Sequence, residues 1–100
     1  MSLEQENQQV LTLIQSMIGS VSPNMRWVTL EVSAPDSVRI RFVLAHDDDV
    51  DREEIEDIGF EFEALQTVGV RLDLEITVDD RPIADLDIPG RVVFGRREPE

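Results

Sequence analysis

HDDDVDREEIEDIGFEFEAL, residues 46–65, decides the fold and carries most of the charge. Ile55, Ile58, Phe62 and Leu65 recur at helical spacing, which predicts an amphipathic helix with one apolar stripe turned to a core. Between Asp47 and Glu63 the stretch holds ten carboxylates and one base, Arg52, hence nine of the thirteen net negative charges. Asp51 is the expected N-cap, with Glu54 at the capping-box position and Val50 and Ile55 as a hydrophobic staple. Gly69 ends the segment. Glu53 and Glu54 favour the helix N-terminus through its dipole, by about 0.3–1 kcal/mol each when exposed. Glu56, Asp57, Glu61 and Glu63 lie beyond the reach of that effect, so local stability does not account for them.

Upstream, two alternating runs predict strands. Val28, Leu30 and Val32 face one way in residues 27–33, and Val38, Ile40, Phe42 and Leu44 do so in residues 38–45. The turn formers between them make the pair a β-hairpin. An even register puts Glu31 opposite Arg39 or Arg41, a cross-strand pair of roughly 0.2–1 kcal/mol. Residues 3–18 predict a first helix whose wide apolar stripe, Leu3, Val10, Ile14 and Met17 flanked by Leu13, Leu11 and Ile18, is a core face, with a partner-binding face as the alternative. Ser2 is its N-cap with Gln5, and Gly19 its C-terminus. Downstream, residues 70–78 alternate cleanly. Residues 83–89 read as an irregular connection because Pro82, Pro89 and Gly90 interrupt any ladder. Residues 91–95 form a last short strand. The expected fold is α/β (α+β), a two-layer sandwich in the order α-β-β-α-β-β. Its sheet is expected to be antiparallel, with both helices on one face. That order is a circular permutation of the ferredoxin-like βαββαβ arrangement.

One hundred residues, 41% of them hydrophobic, fit a single domain over residues 1–95, with 96–100 as a charged C-terminal tail. Cysteine is absent, which removes disulfides and thiolate metal sites. Glu4 and Glu6 near the start argue against a secretory leader, and no apolar run reaches the roughly 18–20 residues of a membrane span. A formal charge of −13 opposes binding to nucleic acid or an anionic membrane and favours a basic protein partner. All nine basic residues are arginine, so a compositional bias of the source, or plain solubility, is the competing explanation of the charge.

Specific chemistry is sparse. A calcium loop begun at Asp47 would place Arg52 where glycine is needed and Ile58 where a bidentate glutamate is needed; begun at Asp49, it ends on Phe60. His46 is the lone histidine and reads as a solvated loop residue. No nucleophile elbow and no phosphate-binding glycine loop occur. The expectation is a non-enzyme without metal or cofactor. The informative residues are aromatic. With Ile55 at 0° on a helical wheel, Phe60 falls at about 140°, among Glu53, Glu56, Asp57 and Ala64. An aromatic ringed by charge is the composition of a protein-binding hot spot, although packing under a loop or a second copy would place it there equally. Trp27 falls on the polar side of the first hairpin, to cover the sheet edge, pack beneath the tail or meet a partner.

Three segments in this order, SPNMRWVTLEV (residues 22–32), EEIEDIGFEFEAL (residues 53–65) and GRVVFGRRE (residues 90–98), resemble small bacterial immunity proteins. Those proteins neutralise the toxic C-terminal domains of contact-dependent growth-inhibition and related polymorphic toxins. The resemblance implies a cytoplasmic inhibitor that binds a cognate toxin domain. The charge favours a basic partner, and the resemblance implies a toxin of the basic, nuclease type. The expected contacts, drawn from charge and wheel position, are Asp47, Asp48, Asp49, Glu53, Glu56, Asp57, Phe60, Glu61 and Trp27. A homodimerising or adaptor domain, acidic only for solubility, is the alternative.

Overall fold

In the computed structural model, which describes residues 2–99, the alternating runs do form strands: β1 (Met25–Ala34), β2 (Ser37–Leu44), β3 (Arg71–Val78) and β4 (Arg91–Gly95). Helices α1 (Leu3–Met17) and α2 (Asp49–Ala64) pack on one face of the sheet. The core lies between the layers, where Leu13, Ile55, Ile58 and Phe62 meet Val28, Leu30, Ile40, Phe42 and Leu44. The element order is the expected one, with a single 3-10 turn (Ile83–Asp85) inserted before β4.

Pairing departs from the expectation of an antiparallel sheet. The strand order is β3-β2-β1-β4, and β3 runs parallel to β2. Length explains this. Sixteen residues of α2 rise about 24 Å, close to the roughly 26 Å of an eight-residue strand. The helix therefore returns the chain to the start of β2, which makes β2-α2-β3 a crossover unit. Gly59 lets α2 sit close to the sheet: a Cβ there would stand 2.7 Å from a Leu74 methyl.

Several local expectations shift. Leu3 and Ile14 are exposed and not in the core; the buried row of α1 is Val10, Leu13 and Met17. Leu65 is likewise exposed, beyond the end of α2. The capping box of Ser2 and Gln5 forms as expected, and Gly19 takes the left-handed conformation (φ 80°) after α1. Glu31 does face Arg39 in the register, yet its carboxylate meets Arg41 at 3.3 Å. Arg39 turns instead to Asp73 at 2.9 Å, because β3 supplies carboxylates on its other side.

Residues 79–90 must join the two outer strands, and they do so across the face of the sheet that the helices leave open. Thr29 Oγ1 and Arg41 Nη1 both donate to the carbonyl of Pro89. Arg26, 3% exposed, holds the rest. A bulge sets Arg26 and Trp27 against Val43 alone, which re-aims the arginine. Its guanidinium donates to the carbonyls of Asp79 (2.6 Å) and Arg81 (2.7 Å) and pairs with Glu98. Glu98 also accepts from Arg96 Nε at 2.6 Å, and Arg96 Nη1 donates to the carbonyl of Pro23. The segment read as a charged tail is thus bonded to the body of the domain.

Hydrogen bonds from Arg26, and secondly from Arg96, hold the Glu98 carboxyl below the usual glutamate range. A depressed folded-state pKa stabilises the fold above the unfolded value of about 4.3 and stops doing so as pH falls through the folded value. Glu98→Gln should therefore cost about 1–3 kcal/mol at pH 7, reduced from the fully buried case by partial exposure. In urea melts at a series of pH values, the gap from the parent protein should close below about pH 4.

Candidate partner-binding surface

The acids of α2 divide by what they bond to. Asp48, not Asp51, is the N-cap: its Oδ1 accepts from the Asp51 amide at 3.0 Å, and its carbonyl takes the Arg52 amide. The staple is consequently absent, and Val50 is exposed. Asp51 is buried and accepts from Asn24 Nδ2 at 2.8 Å. Asn24 in turn exchanges two hydrogen bonds with the backbone of His46, at 2.8 and 3.0 Å, tying the α1–β1 loop to the start of α2. Asp47 pairs with Arg52, the one base of the stretch. Three of the acids therefore serve the fold.

The others point outward without a cation. Asp49, Glu53, Glu56, Asp57, Glu61 and Glu63 are exposed, Glu54 is half-buried, and none of the seven has a salt bridge among the described residues. Phe60 lies among them, 68% exposed, with Glu56 and Asp57 one turn before it and Glu63 and Ala64 one turn after. An isolated exposed phenylalanine is ordinary; one framed by unpaired carboxylates on a rigid helix offers an apolar anchor and a charge pattern together. The helix is held rigidly by Ile55, Ile58 and Phe62 below, and by a reciprocal amide pair between Gln9 of α1 and Gln66 (3.0 and 2.9 Å).

Of the expected contact residues, the structure thus brings Asp49, Glu53, Glu56, Asp57, Phe60 and Glu61 onto one helix, while Asp47 and Asp48 are engaged at its start. Trp27 is elsewhere. It is half-buried on the sheet face away from the helices, with its ring against Gly95, where a Cβ would stand 2.6 Å from it. His46 is exposed and contributes through its backbone. Among the described residues no cluster of three or more His, Asp or Glu side chains is arranged to hold a metal ion. Asn24, Arg26 and Glu98 were illegible in the sequence as a framework. Each acts through long-range bonds that no periodicity announces.

The model of the MafI2 immunity protein family matches residues 6–98, nearly the whole chain and all of the elements just described except the first turn of α1. The chain belongs to that family. No curated protein matches it. Family membership supports the immunity-protein resemblance of the three segments, two of which supply α2 with its acidic face and β4 with the Arg96 and Glu98 bonds.

Two outcomes follow from this arrangement. Adding sodium chloride from about 0.05 to 0.5 M should raise the melting temperature, because it screens the unpaired acids more than the few exposed ion pairs; a fall would mean the acids are internally compensated. Asn24→Ala should cost about 2–3 kcal/mol, since it strands the buried Asp51 carboxylate and the His46 amide. A thermal melt of the variant checks the second.

Proposed function

We propose that this immunity protein neutralises a cognate toxin domain that is basic and of nuclease type, in the cytoplasm of the producing cell, within a contact-dependent or related polymorphic-toxin system. The observation that carries the reading is the row of unpaired carboxylates around Phe60 on α2. A nuclease presents cations where phosphates bind. Exposed carboxylates along a rigid helix offer those cations an alternative ligand, and so block the site competitively. Complementary charge raises the association rate and excludes wrong partners. Phe60, once desolvated in a pocket of the toxin, slows dissociation.

Asp49, Glu53, Glu56, Asp57, Phe60 and Glu61 are the proposed contacts. Asp47 and Asp48 flank the surface and act on it through the start of the helix. Trp27 belongs to the sheet's far face and is not part of this contact.

The test is coexpression with the toxin domain encoded beside this gene, together with titration calorimetry of the purified pair. Phe60→Ala combined with Asp57→Lys should weaken binding at least about 100-fold, a few kcal/mol for a hot-spot aromatic and a reversed charge. Stability should stay within about 0.5 kcal/mol, because both side chains are exposed. Parent affinity should fall as salt rises. Full protection by the double variant would remove the α2 assignment, and failure of the parent to bind would remove the toxin reading.

A further inference from the structure

The acids are unevenly spread. Between Glu6 and Glu31 the sequence has no carboxylate at all, in a chain that holds 22 of them. That acid-free stretch includes most of α1, and its outer side is apolar. Leu3, Leu11, Ile14 and Ile18 are 67%, 61%, 44% and 76% exposed, forming a second row about 90° round the helix from the buried Val10, Leu13 and Met17. Ile14 and Ile18 join Val21, Val93 and Phe94 around an open groove of about 370 Å³ between the end of α1 and β4. Strand β4 is an outer strand of the sheet. The charged side chain at its start, Arg91, is cationic and bonded to Asn7 of α1.

We infer that this α1–β4 face is an interface with a second copy of the same chain, formed about a two-fold axis. The charge distribution selects the occupant. A basic partner gains by touching carboxylates and would be drawn to α2. Only a partner that is itself strongly acidic requires a surface cleared of them, and a second copy is such a partner. The acids of α2 oppose the contact only in part at physiological ionic strength, and added salt removes that opposition. α2 packs against β3 and α1 against β4, at opposite edges of the sheet. The two helices also touch each other, so the α2 acids stand one helix away, where a Debye length of about 8 Å weakens their repulsion without removing it. The exposed row is also self-complementary. In antiparallel packing of two α1 helices, Leu11 meets Ile18 of the other copy and Ile14 lies near the axis, so the same patch serves both sides. Neutral Gln8 and Gln15 border the row over its last three turns, and Glu4 stands only at its N-terminal end, beside Leu3. The two edges of the sheet differ accordingly. β3 carries Arg71, Asp73 and Glu75 outward, a charged edge that discourages pairing, whereas Val92, Val93 and Phe94 leave β4 without that protection.

This inference is independent of the toxin reading, and sedimentation equilibrium on the full chain tests it. The mass should rise from 11.4 kDa towards twice that value with concentration, and the dissociation constant should tighten at least threefold between 0.05 and 0.5 M sodium chloride. Leu11→Lys with Ile18→Lys should remain monomeric, weakening association more than tenfold, with an unchanged far-ultraviolet spectrum. Phe60→Ala with Asp57→Lys should dimerise as the parent does. A parent that stays monomeric at millimolar concentration in high salt would overturn the inference. So would a Leu11→Lys, Ile18→Lys variant that dimerises fully. Protection of α1 amides from hydrogen exchange by the toxin domain, with no dimer, would assign the face to the toxin instead.

Discussion

Everything on the acidic side of this molecule depends on how firmly α2 is held to the sheet. Leaving aside the buried Asp51, five pairs of like charges stand three or four residues apart along the helix: Asp49 with Glu53, Glu53 with Glu56 and Asp57, Glu54 with Asp57, and Asp57 with Glu61. At roughly 0.2–0.5 kcal/mol per pair, they oppose the helix by about 1–2.5 kcal/mol. Burial of Ile55, Ile58 and Phe62, each 1% exposed or less, favours it by roughly 1.5–3 kcal/mol per side chain. Apolar burial wins clearly. The helix is therefore stable because of the sheet beneath it and in spite of its own charge, which is how a surface with no internal reason to be anionic persists.

The sheet in turn is a mixed one because of that helix. A shorter α2 would have let β3 pair as a hairpin neighbour; sixteen residues return the chain to the far end and impose a parallel partner. The consequence reaches the C-terminus. With β3 and β4 at opposite edges, residues 79–90 must cross the open face, and polar groups on that face must receive them. Arg26, Thr29 and Arg41 do so through carbonyls, and Glu98 neutralises the one guanidinium that is buried. Asp79 at the start of the crossing is fixed separately: the Arg81 side chain and amide both bond to its carboxylate and hold its pKa near about 2.

Elements whose information is local were legible in the sequence. The alternation of β1, β2 and β3, the Ser2 cap, the stripe of α2 and the outward Phe60 all follow from spacings of two to four residues, and each is present. What failed was non-local or depended on competition. Asp48 and Asp51 are both capable caps, and the choice between them was made by Asn24, 27 residues before Asp51, which claims that carboxylate. The apolar arc of α1 is wider than the sheet can cover, so periodicity put Leu3, Ile14 and Leu13 in one stripe and the packing kept only Leu13 of the three. Parallel pairing of β3 came from a match of lengths, not from any residue. Arg26 beside Trp27 gave no sign of its burial, since a bulge is invisible in an alternation pattern.

The same physics links stability and recognition. On the proposed reading, the repulsion along α2 is a cost carried only by the free protein, because cationic groups of a toxin that settle among Glu53, Glu56, Asp57 and Glu61 remove it. Part of the binding free energy is then relief of intramolecular repulsion, available without any movement of the backbone. The inferred α1–β4 contact would work by the contrary rule: past the first turn of α1 neither element carries an acid, so association there gains chiefly from covering Ile14, Ile18 and Leu11. On those two readings, salt acts in opposite directions on the two surfaces of one small domain. Thinning the acids of α2 would make the protein more stable and a poorer inhibitor, a trade-off that arises whenever a binding surface is built from like charges on a helix whose stability comes from its other side.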